Sequence, residues 1–179
     1  GGRETYVRNI NIKNAFVGLH IKSGVNAGSS DADINSVNIV GNGSRQSIGV
    51  LIEGYDNTLT NVRIANVFVS VVLRGGGNML RNIHPLFYIH EDMRDQYDES
   101  IGFLVQHPMN WFDYCYSDQF AVGFDTTGGG VFKNCYIAIY FDDECVMRRK
   151  RPVVAPGEME EIKLIKEKLA EYPNLKTIT

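Results

Sequence analysis

Glu53 and Arg74 carry opposite charges, lie 21 positions apart, and each directly follows a five-residue apolar run, Ile48-Gly49-Val50-Leu51-Ile52 and Val69-Ser70-Val71-Val72-Leu73. Matching runs, Val17-Gly18-Leu19-His20-Ile21, Ile101-Gly102-Phe103-Leu104-Val105 and Val122-Gly123-Phe124-Asp125-Thr126, precede Lys22, Gln106 and Thr127. One polar column therefore reads Lys22, Glu53, Arg74, Gln106, Thr127. A carboxylate beside a guanidinium can supply an acid and a base to one substrate, or the two can satisfy each other as an ion pair, which is the commoner use of a lone pair. A second concentration of reactive side chains is the stretch "LFYIHEDMRDQYDES", residues 86 to 100, which gathers His90, Glu91, Asp92, Arg94, Asp95, Asp98 and Glu99 with Phe87, Tyr88 and Tyr97. Its carboxylates suit acid-base work or a hard cation, and its aromatic faces suit stacking on sugar rings. The catalytic candidates are Glu53, Arg74, Asp92 and Asp95; His90, Tyr88, Tyr97 and Gln106 are the candidates for substrate contact. A solvated, partly ordered loop accounts for residues 86 to 100 equally well.

These residues need a scaffold, and the chain announces one by repetition. The frame Asn57-Thr58-Leu59-Thr60-Asn61-Val62-Arg63-Ile64 returns at Asn78-Met79-Leu80-Arg81-Asn82-Ile83-His84, at Asn110-Trp111-Phe112-Asp113-Tyr114-Cys115-Tyr116 and at Gly130-Val131-Phe132-Lys133-Asn134-Cys135-Tyr136, with offsets of 21, 32 and 20. Looser copies start at Val7 and Ile34, so one column reads Asn9, Ser36, Asn61, Asn82, Tyr114, Asn134. The five apolar runs interleave with these frames. Each repeat thus holds short β-branched or aromatic strands, no helical period, and Gly, Asn or Asp turns. Such a unit cannot bury its apolar face alone, but parallel strands stacked about 4.8 Å apart would pile equivalent side chains into inward ladders. Asparagine carries donors and an acceptor and tolerates left-handed backbone, so stacked copies can hold a sharp turn and bond one another between rungs. Asn61 and Asn82 are the expected members of that buried ladder.

The repeated Asn-(Val/Ile)-x-(Ile) frame resembles the pectin-lyase-like right-handed parallel β-helices over roughly residues 5 to 142. The resemblance is one of architecture and carries no catalytic signature. It implies an all-β solenoid with asparagine ladders, and a carbohydrate-directed protein, a lyase or glycoside hydrolase if an enzyme, acting on an extracellular polysaccharide. An extracellular, cell-surface or virion-surface location goes with it. In that superfamily catalytic groups project from the outer face of one parallel sheet. Pectate lyases use calcium on carboxylates of adjacent rungs and an arginine base, and polygalacturonases use clustered aspartates. The outer columns here hold neither cluster, so no cofactor is expected, and calcium, which the loop carboxylates could suit, is not indicated.

If the five runs form that sheet, alternation turns Leu19, Ile21, Val50, Ile52, Val71, Leu73, Phe103 and Val105 inward. It turns His20, Leu51, Val72, Leu104 and Asp125 outward. Leu51, Val72 and Leu104 then make an exposed apolar stripe that something should cover, a second copy of the chain in preference to its own C-terminal helix. The alternative to a carbohydrate enzyme is accordingly a non-catalytic structural or receptor-binding module, tailspike-like, that assembles as a homo-oligomer through those three residues.

With 179 residues, 44% hydrophobic content and net charge −3, the chain reads as a soluble domain with a sizeable core, for which nucleic acid is not the expected partner. No apolar run reaches membrane-spanning length and no signal peptide opens the chain, so no membrane partner is expected. The chain begins Gly1-Gly2 and enters a rung almost at once; an open end with unpaired strand edges predicts further rungs or a partner there. Three cysteines do not suit a disulfide framework; Cys115 and Cys135 share a column and are expected to stack as buried free thiols, with no zinc motif present. Asn42-Gly43-Ser44 matches a glycosylation acceptor, a weak motif. The β-helix is assigned to residues 1–145, a linker holding Arg148-Arg149-Lys150-Arg151 to 146–157, a helix to 158–172 and a tail to 173–179. Met159, Ile162, Ile165, Leu169 and Tyr172 form one stripe of that helix, read as a cap on the last rung.

Overall fold

The computed structural model describes residues 3–24, 29–88, 97–141 and 144–151, with side chains as far as Cys135. The chain is all-β. Six strands, β1 (Tyr6–Ala15), β3 (Asp33–Gly41), β5 (Thr58–Ala65), β7 (Met79–Leu86), β9 (Trp111–Asp113) and β11 (Val131–Lys133), form one sheet in that order, and every neighbouring pair is parallel. Five more, β2 (Val17–Ile21), β4 (Ile48–Ile52), β6 (Val69–Leu73), β8 (Ile101–Val105) and β10 (Val122–Asp125), form a second all-parallel sheet, again in chain order. The chain therefore alternates between the sheets, and each repeat adds one strand to each. The registers are those of the sequence frames: Leu59 pairs with Leu80 and Val62 with Ile83, while Val50, Val71 and Phe103 align across the second sheet.

A strand of period two would send Leu59, Asn61 and Arg63 to one face. The first sheet avoids this with a left-handed residue inside each of β1, β3, β5 and β7 and directly after β9 and β11. Asn9, Ser36, Asn61, Asn82, Tyr114 and Asn134 all have φ between 53° and 57°. The phase resets there, so Leu59, Val62 and Ile64 are all fully buried, as are Leu80 and Ile83 one repeat on. A second left-handed column, Glu4, Asp31, Asp56, Gly77, Met109 and Gly129, marks the turn into each strand of the first sheet. Between the sheets, the aliphatic ladders join Phe103, which stacks on Phe124 at 4.4 Å, and Phe112, which stacks on Phe132 at 4.5 Å. Each aromatic pair adds about 1 kcal/mol beyond its buried area. Cys115 and Cys135 are buried free thiols in the same core, and burial pushes the Cys135 thiol up to about 11 and Cys115 higher still. Neither is a nucleophile.

Three expectations need correction. The buried ladder consists of Asn57, Asn78 and Asn110; Asn61 lies on the surface, where its Oδ1 accepts from Asn82 Nδ2 at 2.7 Å. The outer stripe is not free, because Leu51 is 7% and Val72 2% exposed in the single chain, and only Leu104 is half-buried. Residues 146–151, assigned to a linker, belong to β13 (Glu144–Arg151), which pairs antiparallel with β12 (Cys135–Phe141). The helix expected over 158–172 and the tail after it lie outside the described residues.

Candidate functional site

The turn that follows each strand of the second sheet is built by glycine and asparagine. Gly54, Gly75 and Gly128 come two or three residues after the strands end, where repeats approach so closely that a Cβ on Gly75 would sit 1.9 Å from the Gly54 carbonyl oxygen. Behind these turns runs the buried ladder. Asn78 Nδ2 donates to the carbonyls of Gly54 and Gly75 at 3.3 and 3.1 Å and to Asn110 Oδ1 at 3.0 Å, while Asn78 Oδ1 accepts from the backbone N–H and Nδ2 of Asn57 at 3.1 and 2.9 Å. Asn110 Nδ2 in turn donates to Gly75 and His107 carbonyls. The Gly54, Gly75 and His107 carbonyls, which the tight turns withdraw from the sheets, thus find partners.

On the solvent side of the same turns lies the polar column. His20 Nε2–H donates to Glu53 Oε2 at 2.9 Å, and the Ser23 backbone N–H reaches the same oxygen at 3.3 Å. Arg74 donates from one terminal nitrogen to Glu53 Oε1 at 3.3 Å and from Nε to Gln106 Oε1 at 3.2 Å. A continuous polar row, His20, Glu53, Arg74, Gln106, therefore crosses four neighbouring strands, with the Arg74 side chain 53% exposed. Beside it, Tyr55 (40% exposed) meets the His107 ring edge-on at 5.7 Å. The two rings come from alternate repeats and close over buried Gly76, where a Cβ would lie 2.5 Å from His107 Nδ1.

The row defines what Glu53 can do. Both carboxylate oxygens are engaged, and the His20 hydrogen bond, helped by the Ser23 amide and Arg74 against a smaller effect of burial, holds its carboxyl below the usual value of 4.5. An ionised carboxylate engaged on both oxygens is an anchor for Arg74, not a general acid at neutral pH. A lowered folded value means that its contacts stabilise the fold above pH 4.5 and are lost as pH falls through the depressed value. The carboxyl ¹³C shift of Glu53 should accordingly titrate with a midpoint below 4.5; a midpoint at or above it would show that the contacts are not made in solution.

Of the candidates read from sequence, Glu53, Arg74 and Gln106 are brought together. Tyr88 and Tyr97 belong to the 86 to 100 stretch, which leads into the start of β8, whereas Gln106 follows the end of that strand, roughly 16 Å away along five extended residues. Tyr97 packs at 5.8 Å on Phe87, which with Phe120 forms a small separate core, so its ring is committed to structure; Tyr88 is exposed. The placement also fixes Glu99, which pairs with Arg45 at the same end of the sheet. His90, Asp92 and Asp95 lie outside the described residues. Among the described residues no three His, Cys, Asp or Glu side chains converge as a metal site requires. Sequence reasoning missed His20, Tyr55 and His107 as site residues. The signal was there, since Tyr55 and His107 stand two and one positions after members of the polar column. Comparison of the chain with family models, curated proteins and solved structures found no match.

Proposed function

We propose that the protein is a right-handed parallel β-helix that binds an extracellular polysaccharide across its repeats, with the chain of sugars lying along His20, Glu53, Arg74 and Gln106. The observation that carries this reading is the unbroken row itself. Four strands at about 4.8 Å spacing give a track roughly 15 Å long, which offers hydroxyl and carboxyl groups alternate donors and acceptors. Tyr55 supplies an apolar face alongside, as ring-shaped polar ligands require. The fold reading draws support from two parallel sheets that the chain visits in turn and from left-handed columns at equivalent places in each repeat. Binding is better supported than cleavage, because Glu53 is engaged on both oxygens. Asp92 and Asp95 remain the candidates for any lyase or hydrolase step. The second reading, a structural or receptor-binding module assembling through Leu51, Val72 and Leu104, is less well supported, since the single chain already covers Leu51 and Val72.

A panel of neutral and anionic polysaccharides, titrated calorimetrically and followed for new reducing ends and unsaturated products, tests the proposal. Arg74→Ala and Tyr55→Ala should each weaken binding of the best ligand by about tenfold or more, equivalent to about 1.4 kcal/mol. Failure of every polysaccharide to bind, or unchanged affinity in both variants, would overturn it. Light scattering on the same samples decides the second reading: a concentration-independent monomer removes it.

A further inference from the structure

His84 stands on the outer face of the first sheet, away from the polar row, and its surroundings are unusual for a histidine. It pairs in register with Arg63 of β5, whose guanidinium donates to the Asn82 carbonyl at 3.3 Å and so stays close by. The Tyr116 ring lies over the imidazole, with centroids 3.9 Å apart and planes tilted by 30°, and Tyr116 Oη and Nδ1 share a hydrogen bond at 2.9 Å. Nε2 is buried and has no hydrogen-bond partner, and the closest carboxylate oxygen, on Asp118, is 4.0 Å away, too far to accept from it. The groups facing His84 among the described residues are therefore Arg63 on β5, and Tyr116 and Asp118 on the connection between β9 and β10.

That connection is stitched to β7 at three points next to His84. The Tyr116 amide donates to the Ile83 carbonyl at 3.3 Å, the Asp118 amide to Pro85 at 3.0 Å, and the Phe87 amide to Asp118 at 2.9 Å. Two residues further on, Phe120 packs edge-on against Phe87 at 5.2 Å, so the small core shared with Tyr97 rests on the same stitching. We propose that His84 is an acid-sensitive latch that fastens residues 114–121 to β7. Neutral, it shares one hydrogen bond with Tyr116 Oη and fills the space beneath the ring. Protonated, it places a second cation beside Arg63 and both ring nitrogens carry a proton, with no acceptor within reach of Nε2–H, and the connection must lift to admit water or to bring Asp118 closer.

Burial first and Arg63 second hold the His84 pKa below its ordinary 6.5, and Asp118 opposes them only in part. The sign follows from linkage: the latch is at full strength above pH 6.5 and weakens as pH falls from there through the depressed folded value. Hydrogen exchange of the intact chain, converted to protection factors at each pH, reads this directly. Protection of the Phe87 and Asp118 amides should fall below pH 6.5 by up to about tenfold per pH unit, the limit for one linked proton. His84→Gln, which keeps polarity and removes the titration, should flatten the profile. Asp118→Asn should move the His84 titration, followed by its ring NMR signals, to lower pH. A flat wild-type profile, or an unchanged slope in His84→Gln, would overturn the latch. Should His84→Gln fail to fold, an Asp118→Asn midpoint equal to that of the wild type would overturn it equally well.

Discussion

Asn78→Ala should destabilise the protein by about 3 kcal/mol or more, the largest loss expected from truncating any one polar side chain in the two sheets. Asn78 is fully buried; its Oδ1 accepts twice from Asn57, and its two amide hydrogens are shared among Asn110 Oδ1 and the carbonyls of Gly54 and Gly75. Alanine leaves the Asn57 donors and the Gly54 carbonyl without these bonds in a place water does not reach, while the Gly75 carbonyl keeps Asn110 Nδ2 and Asn110 Oδ1 keeps the backbone N–H of position 78; each buried orphan costs about 1 to 3 kcal/mol, partly offset by local relaxation. Asn61→Ala is the informative contrast. It loses one surface hydrogen bond and puts alanine, which tolerates a left-handed backbone less well than asparagine, at φ 57°, a cost of about 1 kcal/mol that Asn61→Gly should largely recover. Urea unfolding followed by circular dichroism ranks the three. An Asn78→Ala variant within about 1 kcal/mol of the wild type would show that the ladder contributes little.

The asparagines show what a linear reading can and cannot reach here. The frame of 21 residues placed the strands and their register correctly, because apolar columns at fixed offsets force equivalent residues to stack. It also marked Asn61 and Asn82 as left-handed positions, which they are. What it could not decide was which asparagine of each frame faces inward. Asn57 follows a left-handed residue and Asn61 is one, and only the direction of the chain at each point turns one into the core and leaves the other in water. The fate of Leu51 and Val72 is a similar case. Alternation correctly sets them opposite Val50, Ile52 and Val71, yet burial depends on what the rest of the chain lays over that face, and no local pattern carries that information.

The site was legible in the same partial way. Glu53, Arg74 and Gln106 follow their strands at equal positions, so the column was readable before any coordinates. The Tyr55 and His107 contact spans two repeats and depends on Gly76 between them having no side chain, a condition that appears only when three turns are stacked. The basic run was misread for the opposite reason. Arg148 to Arg151 has no alternation of its own, and its extended state in β13 is supplied by pairing with Cys135–Phe141.

Gly75→Ala should be nearly as damaging as the loss of Asn78, by a different route, and it tests whether one turn supports both fold and site. Its β-carbon would meet the Gly54 carbonyl oxygen at 1.9 Å, the Gly54 carbonyl carbon at 2.7 Å and the Glu53 carbonyl oxygen at 2.9 Å. All three are backbone atoms, so no side-chain rotation relieves the overlap. The repeats must separate locally, at the place where Asn78 Nδ2 bridges the Gly54 and Gly75 carbonyls and where the Glu53 and Arg74 side chains meet at 3.3 Å. Overpacking of this kind costs about 3 kcal/mol, towards the upper end of such changes. Gly123→Ala is the control, since its added carbon would lie 3.6 Å from the closest atom, the Ser117 β-carbon, in ordinary contact, and should be neutral or slightly stabilising. Thermal unfolding of the two variants separates steric cost from the general effect of losing a glycine. Backbone NMR of folded Gly75→Ala should then show its largest shifts at Glu53, Arg74 and Asn78, and affinity for any polysaccharide ligand should fall with them. Equal stability of the two variants would mean that the turn has room to spare, and that the polar row is held by its own side-chain contacts, not by the asparagine ladder behind it.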